Sequence, residues 1–402
     1  MRLIIHDYAG HPFQVQLSRE LARRGHTVTH AFAGGLLTPR GNLVKKPGDP
    51  PTFSVVEVPM DPNYRRDKYK FLRRRRMEIE YGHKAAALIA SEKPDAFLSA
   101  NTPTEPQLTI AKACTSARVA FMPWVQDFYS IAVAKLAGKK LPGIGHLMGW
   151  WYHHLENSAL RQSAAVVSIT DDFVPILRQS GVVEKRITVI PNWAPLDELP
   201  QRPRRNSWSG AHGLDDKFVF VYSGTLAMKH NPDLLRQLSL AFRGDPAVRV
   251  LVISEGPGAD FLRERKAAEK LDNLELLPFQ AFEDMPDVLA SADVLVAVLE
   301  AEAGIYSVPS KVLTYHCAGK PLLGAIPGLN LSARIITKEG TGICVEPSDA
   351  SGFLKAATKL RSDPALREKQ CKAARAYAET HFDISRIATR FEDCFRSAGV
   401  GK

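Results

Sequence analysis

Two patterns of apolar and polar residues alternate along this chain. Short, almost unbroken apolar runs are separated by longer segments whose apolar residues recur every three or four positions. The runs predict strands at residues 2–6, 26–33, 53–59, 95–100, 119–125, 165–170 and 187–191. A second series follows at 218–223, 248–254, 274–278, 294–299, 321–326 and 341–346. Strands that read as continuous apolar runs are buried on both faces, as in a parallel sheet covered by helices. The segments between them predict those helices. From Pro12, the residues Phe13, Leu17 and Leu21 share one helix face, and Gly25 ends the pattern. A last helix near residues 383–395 carries Ile384, Ile387, Ala388, Phe391 and Phe395 on one face. The fold class is α/β, with two doubly wound halves.

Between the two series the periodicity stops. Residues 195–216 hold Pro200, Pro203, Ser207, Ser209 and Gly210 among arginines, a composition that predicts a linker. The expected organisation is a first Rossmann-like domain over residues 1–195, a linker over 196–216 and a second such domain over 217–382. The helix from 383 to 402 completes it.

Candidate chemistry sits where strands end. After the run at 294–299 comes Ser-Val-Pro-Ser-Lys-Val-Leu-Thr-Tyr-His-Cys-Ala-Gly-Lys-Pro, residues 307–321. Pro309 and Ser310 suit a helix start, and Gly319 with Pro321 suits its end. Strand, loop and helix N-terminus make an anion site, to which Lys311 adds a full charge. An ordinary crossover would look the same in this window alone. A second such segment follows the strand at 218–223: Ser223, Gly224 and Thr225 form a small-residue turn before Lys229, and Pro232 opens a helix. Gly256-Pro257-Gly258 makes a third turn after the next strand. Three such turns suggest one diphosphate pocket along the carboxyl edge of a sheet. Neither G-x-G-x-x-G nor a Walker lysine motif occurs.

These segments resemble the carbohydrate-active family 4 retaining glycosyltransferases, enzymes of the GT-B fold. So do His6-Asp7-Tyr8-Ala9-Gly10-His11-Pro12 at the start, Trp124-Val125-Gln126-Asp127-Phe128-Tyr129, and Pro191-Asn192-Trp193. The likeness covers nearly the whole chain and is strongest to bacterial enzymes of O-antigen, capsule and exopolysaccharide assembly, including N-acetylfucosaminyl transferases. It implies an active site in the cleft between the halves and a last helix that crosses back onto the first domain. The chain also departs from the pattern. Many members carry two glutamates flanking seven residues, the second lying five residues before the glycine that is Gly319 here; that position is Thr314. The first falls on Tyr306, with Glu300 and Glu302 nearby as shifted substitutes.

The resemblance implies sugar transfer from a nucleoside diphosphate, with UDP the expected nucleotide, to an acceptor hydroxyl carried on a polyprenyl diphosphate. Negative charge then builds on the leaving diphosphate, so cations and amide donors aimed there lower the barrier. Lys229 and Lys311 are the candidate catalytic cations. Gly224, Thr225, Gly256, Pro257, Phe279, Glu300, Glu302, Ser310 and Thr314 are the candidate donor-binding residues. On the acceptor side, Gly10 and His11 precede the first helix, where a glycine lets a loop approach a substrate closely; His11 could equally be a helix cap. Asp127 follows a strand and could orient or deprotonate the acceptor hydroxyl, or close a turn on its own backbone.

Composition narrows the remaining options. The chain has 402 residues, 45% apolar and 24% charged, with no run of 18 apolar residues, so it predicts a globular protein without a membrane-spanning helix. It enters its first strand at once, without a signal-peptide pattern. The five cysteines are scattered, which fits reduced thiols in a cytoplasmic protein. His153 and His154 are adjacent, and Asp171-Asp172 lacks a third ligand, so no metal site is expected and no cofactor beyond the donor substrate.

The net charge is +10. Residues 65–76, from Arg65 to Arg76, hold eight basic residues and one acid with Tyr64, Phe71, Leu72 and Met77 interleaved or adjacent. A basic amphipathic helix on an anionic membrane surface fits this, at the inner face of the cytoplasmic membrane, as does a solvated face. Nucleic acid is not the expected partner. Two rivals remain open at this stage: a nucleotide-sugar epimerase of the same fold, and a non-catalytic sugar-nucleotide or nucleic-acid binding protein.

Overall fold

A computed structural model describes residues 1–36, 40–67, 70–140, 143–302 and 308–401, apart from the side chains of Leu136, Lys139, Lys140 and Lys229. It divides into two compact units, one of residues Met1–Asn192 with Ile384–Lys402, the other of residues Trp193–Asp383.

The first unit holds a seven-stranded sheet: β1 (Arg2–Asp7), β2 (Thr27–Ala33), β3 (Phe53–Val58), β4 (Ala96–Ala100), β5 (Ala120–Val125), β6 (Val166–Ser168) and β7 (Ile187–Val189). Its order is β3-β2-β1-β4-β5-β6-β7, with every pairing parallel. The second unit holds β8 (Phe218–Ser223), β9 (Val248–Ile253), β10 (Leu274–Leu277), β11 (Val294–Val298), β12 (Leu322–Ala325) and β13 (Gly342–Val345), ordered β10-β9-β8-β11-β12-β13 and again parallel. Each predicted run is therefore a strand. In both sheets the chain order reverses beside the first strand, between β1 and β4 and between β8 and β11. Loops diverge at such points and leave a crevice at the strands' carboxyl ends.

Burial on both faces explains the unbroken runs. Phe218, Phe220 and Tyr222 of β8 join one core cluster, whereas Val219 and Val221 join the other. Val294, Val296 and Val298 of β11 divide from Leu295 and Ala297 in the same way. The period of two is present, but both faces are core.

The last helix, Ile384–Ser397, belongs to the first unit. It buries Ile387, Ala388, Phe391, Cys394 and Phe395, with the Phe391 ring 4.8 Å from that of Trp124. Glu392 anchors its outer edge, accepting from Arg24 at 3.0 Å and pairing with His26 at 2.8 Å.

The expected linker needs correction. The unit boundary falls after Asn192, and residues 196–216 pack within the second unit. They contain a short helix, Ser207–Ala211, closed by a reciprocal cap between Asn206 and Ser209. Arg204 bonds Asp293 at 3.1 Å and the Lys217 carbonyl at 2.7 Å, and Leu214 is fully buried. Five helical residues are too few to show a period, and the anchors lie far along the chain. All five cysteines are free thiols.

Candidate active-site loops

In the second unit two glycine turns and the start of a helix meet at the carboxyl edge of the sheet. The turn after β8 needs Gly224, whose φ is 127°. Its N–H donates to the Ile253 carbonyl at 3.0 Å, tying it to the end of β9. The next turn, after β9, uses Gly256 at φ 106°, with Pro257 opening the helix Pro257–Glu269. Gly258 donates to the Leu226 carbonyl at 2.9 Å, so the two turns lie against each other.

The third segment reaches the same place from the far side of β8. The helix Lys311–Ala318 is stapled to β8 by Tyr315, whose hydroxyl accepts from the Ser223 N–H at 2.9 Å and donates to its carbonyl at 3.1 Å. Lys311 Nζ donates to the Tyr222 hydroxyl, lies 3.6 Å from the centroid of that ring and reaches the Thr225 carbonyl at 3.5 Å. A Cβ on Gly224 would stand 3.3 Å from Lys311 Cε. Burial holds the Tyr222 phenol well above its ordinary pKa, so both these partners are uncharged. The two glycine turns and Lys311 thus converge.

Other expected donor residues are less tightly placed. Ser310 takes the cap position of its helix but makes no side-chain cap bond. Val312 N–H donates to Pro309 at 3.2 Å and Leu313 N–H to Ser310 at 3.0 Å. The helix start therefore offers an anion fewer free amides than its sequence suggested. Thr314 is half-buried on the second turn. Glu300 is half-buried after β11, and Glu302 is exposed. Tyr306 lies outside the described residues. Phe279 follows β10, at the sheet's edge and two strands from β8. Lys229 belongs to the one-turn helix Met228–His230, with its side chain outside the described part.

In the first unit the crevice between β1 and β4 gathers a polar cluster. Asp7, the last residue of β1, is fully buried and accepts from the His11 backbone N–H. The His11 ring lies 3.3 Å from both Asp7 Oδ1 and Asn101 Nδ2, and Asn101 donates to Asp7 at 3.2 Å. With its amide turned nitrogen-first, Gln14 donates to both Asp7 oxygens at 3.1 Å. Burial alone would lower the His11 pKa. The Asp7 charge and hydrogen bond outweigh it, Asp127 adds to them, and the net shift is upward. Burial likewise opposes ionisation of Asp7, yet its His11 partner holds it below the ordinary carboxylate value. His11 occupies the cap position but makes no side-chain cap bond. Its ring serves Asp7 instead.

Gly10 is required by packing within the chain. Its φ is 79°, and a Cβ there would meet Leu43 Cδ1 at 2.8 Å, so the space beside it is filled by the chain's own Leu43 and Arg40. Asp127 is exposed just past β5, on the rim of a pocket of about 50 Å³ that Asn101, Thr104, Gln126 and Glu156 also line. Thr104 Oγ1 and Gln126 Nε2 are buried there without a partner. Glu156 accepts from the Ser130 hydroxyl and from its N–H at 3.4 Å, while Ser130 also meets His153 Nδ1 at 2.8 Å. Burial pushes the Glu156 carboxyl up to about 7, with the Asp127 charge adding to it and the Ser130 bonds opposing.

Sequence reasoning missed Asp7, Asn101 and Glu156 as site residues. Asp7 carried a usable signal, a carboxylate ending an otherwise apolar strand. Asn101 and Glu156 carried none, because each reaches the cluster from a separate element.

Residues 11–193 match the glycosyl transferase 4-like domain, and residues 217–363 match the glycosyl transferases group 1. The chain belongs to the glycosyltransferases. It is similar to WcaI of Escherichia coli, a glycosyl transferase assigned to colanic acid biosynthesis, with 22% identity over 273 residues. That match covers 66% of this chain and 65% of WcaI. Similarity to the alpha-D-kanosaminyltransferase of Streptomyces kanamyceticus is 23% over 253 residues, 61% of this chain and 63% of that protein. The match thus spans under two thirds of either relative's length. Among solved structures, Anabaena HepE in complex with UDP-glucose superposes with a TM-score of 0.71 at 15% identity, covering 99% of this chain and 100% of that one. WaaG, a glycosyltransferase involved in lipopolysaccharide biosynthesis, gives 0.68 at 16%, covering 100% of both. The glycosyltransferase fold here is GT-B.

Proposed function

We propose that this glycosyltransferase moves a sugar from a nucleoside diphosphate, UDP by preference, to an acceptor hydroxyl borne on a polyprenyl diphosphate during surface polysaccharide assembly. The observation that carries this reading is Lys311 lying against Tyr222, Gly224 and Thr225, a cation held over a glycine turn at the carboxyl edge of a parallel sheet. When the bond from the sugar to the diphosphate breaks, charge grows on the diphosphate oxygens. A lysine fixed beside an open turn stabilises that charge without having to reorganise. The UDP complexes of HepE and the assignments of WcaI and WaaG support the donor and pathway classes.

In this reading Lys229 is a second cation on the same diphosphate, assigned from its sequence position. Glu300, Glu302 and Thr314 contact the nucleoside or the donor sugar. Asp127 orients the acceptor hydroxyl, with His11 held beside it as a cation by Asp7. The reaction retains configuration: the acceptor oxygen attacks from the face the diphosphate leaves, and the diphosphate takes the proton. In this reading it needs no metal, since lysines carry the leaving-group charge. Activity should accordingly survive EDTA, and loss on chelation with rescue by Mn²⁺ would overturn this part.

The test of the whole is a screen of nucleotide sugars by thermal shift, followed by product analysis with and without a lipid-linked acceptor. Saturation with the true donor at 100 times its dissociation constant adds roughly 2.7 kcal/mol. Transfer only in the presence of acceptor supports the reading. An altered sugar without acceptor would make the protein an epimerase, and binding without any product would make it a non-catalytic sugar-nucleotide protein.

A further inference from the structure

The acceptor just proposed is lipid-borne, and the expected membrane contact was the basic stretch at 65–76. The structure divides that stretch. Tyr64–Asp67 forms one helical turn, and a separate helix, Phe71–Glu92, begins four residues later. Asp67 takes up three of its cations: Arg66 at 3.4 Å, Lys70 at 2.8 Å and Arg73 at 3.0 Å. Arg75 pairs with Glu105 at 2.7 Å and Arg74 with Glu78 at 3.6 Å. Among the described residues of the stretch, no continuous amphipathic face results.

A different helix has one. In Ile144–Arg161, Ile144 is 65% exposed, Leu147 67%, Trp150 62% and Trp151 45%. At one residue per 100° these four positions fall on a single stripe. The opposite side is already used. Gly145 and Gly149 press against the helix Tyr129–Lys140 so closely that a Cβ would stand 2.2 Å from the Ala137 carbonyl oxygen and 2.7 Å from Ala134 Cβ. Tyr152, Leu155 and Ala159 are buried as well. The helix has therefore made its core contacts and still shows two tryptophans to solvent. Contiguous apolar surface of this kind marks an interaction site.

We propose that this stripe, Ile144, Leu147, Trp150 and Trp151, seats the protein on an anionic lipid bilayer, with the indole rings among the headgroups and neighbouring lysines and arginines against the lipid charge. Three observations choose this occupant. From residue 128 through 155, the part of the helical hairpin that bears the stripe, the sequence has no Asp or Glu but includes Lys135, Lys139 and Lys140; the hairpin's one acid, Glu156, follows beyond the stripe and is half-buried. The basic stretch adjoins it: the Phe71 ring is 6.4 Å from that of Tyr152, and Tyr152 donates to Glu105 at 2.8 Å, the same carboxylate that Arg75 pairs with. Leu72 is a further exposed apolar side chain at 77%, next in sequence to Arg73, and the side chains of Lys70 and Arg73 are 59% and 62% exposed. Apolar and aromatic residues ringed by cations fit a shallow interfacial anchor. A second copy fits less well, because a two-fold contact would set the same basic surface against itself. Among the described residues no helix is long and apolar enough to cross a membrane, so the contact is one of lying on the surface.

The proposal rests on the glycosyltransferase reading for its purpose, but its test needs no activity. The full chain is sedimented with vesicles of equal phosphatidylglycerol and phosphatidylcholine, and its tryptophan fluorescence is followed with brominated lipids in the same mixture. Trp124 and Trp193 are 1% exposed and the fifth tryptophan, Trp208, is half-buried, so the measurement is made in a Trp208→Phe background, where quenching reports on Trp150 and Trp151. Wild type should bind at low salt and be quenched. The combined change Leu147→Ser, Trp150→Ser and Trp151→Ser should weaken binding at least tenfold, with an unchanged melting temperature because these side chains are exposed. Arg73→Ser with Arg76→Ser should weaken binding only at low salt and leave quenching of the bound fraction intact. Absence of vesicle binding at low salt, wild-type binding by the triple variant, or bound protein with unquenched tryptophan each sinks the proposal. So does a vesicle-free dimer that the triple variant abolishes, which would give the stripe to a second copy.

Discussion

Lys311 Nζ stands 3.6 Å from the centroid of the Tyr222 ring while donating to that residue's hydroxyl, so one aromatic side chain fixes both the height and the direction of the cation. Tyr222 in turn donates to the Thr225 carbonyl at 2.8 Å. The glycine turn and the lysine are therefore positioned by the same residue. Lys311→Ala should lower kcat/KM by about 10²–10³-fold, roughly 3–4 kcal/mol of transition-state stabilisation. Stability should fall by only about 0.5–1 kcal/mol, the size of an exposed cation–π contact. Lys311→Arg should restore part of the activity, because a planar fork replaces a point charge poorly over a ring. An alanine variant with wild-type kcat/KM would remove Lys311 from the reaction.

The contact between the turns after β8 and β9 makes a second prediction. A Cβ on Gly258 would lie 2.5 Å from the Leu226 carbonyl oxygen, and that oxygen belongs to backbone that also accepts the Gly258 N–H. Gly258→Ala must push the two loops apart, which should destabilise the protein by about 1–3 kcal/mol and weaken nucleotide-sugar binding with it. Gly244 has nothing within 4 Å of a built Cβ. Gly244→Ala is the control, expected to change neither. Equal melting temperatures and donor affinities for the two variants would contradict this account.

The central strands were legible because they are core on both faces, as in β8 and β11, so tertiary burial and local sequence agree. The short helix at Ser207–Ala211 was not, because its stability comes from Arg204 on Asp293 and from Leu214 rather than from a period. The site divides along the same line. His11, Asp127, Gly224 and Lys311 sit at strand ends or helix starts, where a linear reading looks for ligands. Asp7 and Asn101 meet only because β1 and β4 are neighbours in the sheet, an adjacency that 90 residues of sequence conceal. The exposure of Trp150 and Trp151 was not legible in the sequence. Two glycines on the opposite side had already taken the helix's buried face, and glycine leaves little trace in a hydrophobic pattern.

Asp7 and His11 provide a test by pH. The folded pKa of His11 is raised above 6.5, so the stability its charge contributes is complete below about 6.5 and is lost as pH rises through the folded value. The folded pKa of Asp7 is lowered below 3.8, so its contribution is present above about 3.8 and is lost only as pH falls through that lower value. At pH 6 both terms act, and the histidine term is lost once the pH passes the folded His11 value. Asp7→Asn should therefore lower the melting temperature more at pH 6 than at a pH above the wild-type His11 midpoint, and should lower that midpoint as seen by NMR. A gap in melting temperature that is the same at both pH values, with an unmoved His11 midpoint, would show that the pair is not ionic.

Glu156 tests the pocket beside Asp127 with the opposite sign. Its carboxyl is pushed up from 4.5 to about 7, chiefly by burial, so between those values the unfolded chain is ionised there while the folded protein keeps the proton. The folded state then binds more protons, and stability falls as pH rises from about 4.5 to about 7. The shift caps this loss at about 3 kcal/mol. Glu156→Gln keeps the shape and removes the titration. Its amide oxygen can still accept from the Ser130 hydroxyl, but it cannot be forced to carry charge. The variant should melt at or below the wild-type temperature at pH 4.5 and gain on it steadily towards pH 7.5. The pH profile of kcat/KM should change in the same interval if ionised Glu156 raises the charge felt at Asp127, while a purely structural carboxyl would leave the profile alone. Parallel melting curves across the whole range would mean that Glu156 ionises normally and that the pocket is wetter than its walls suggest.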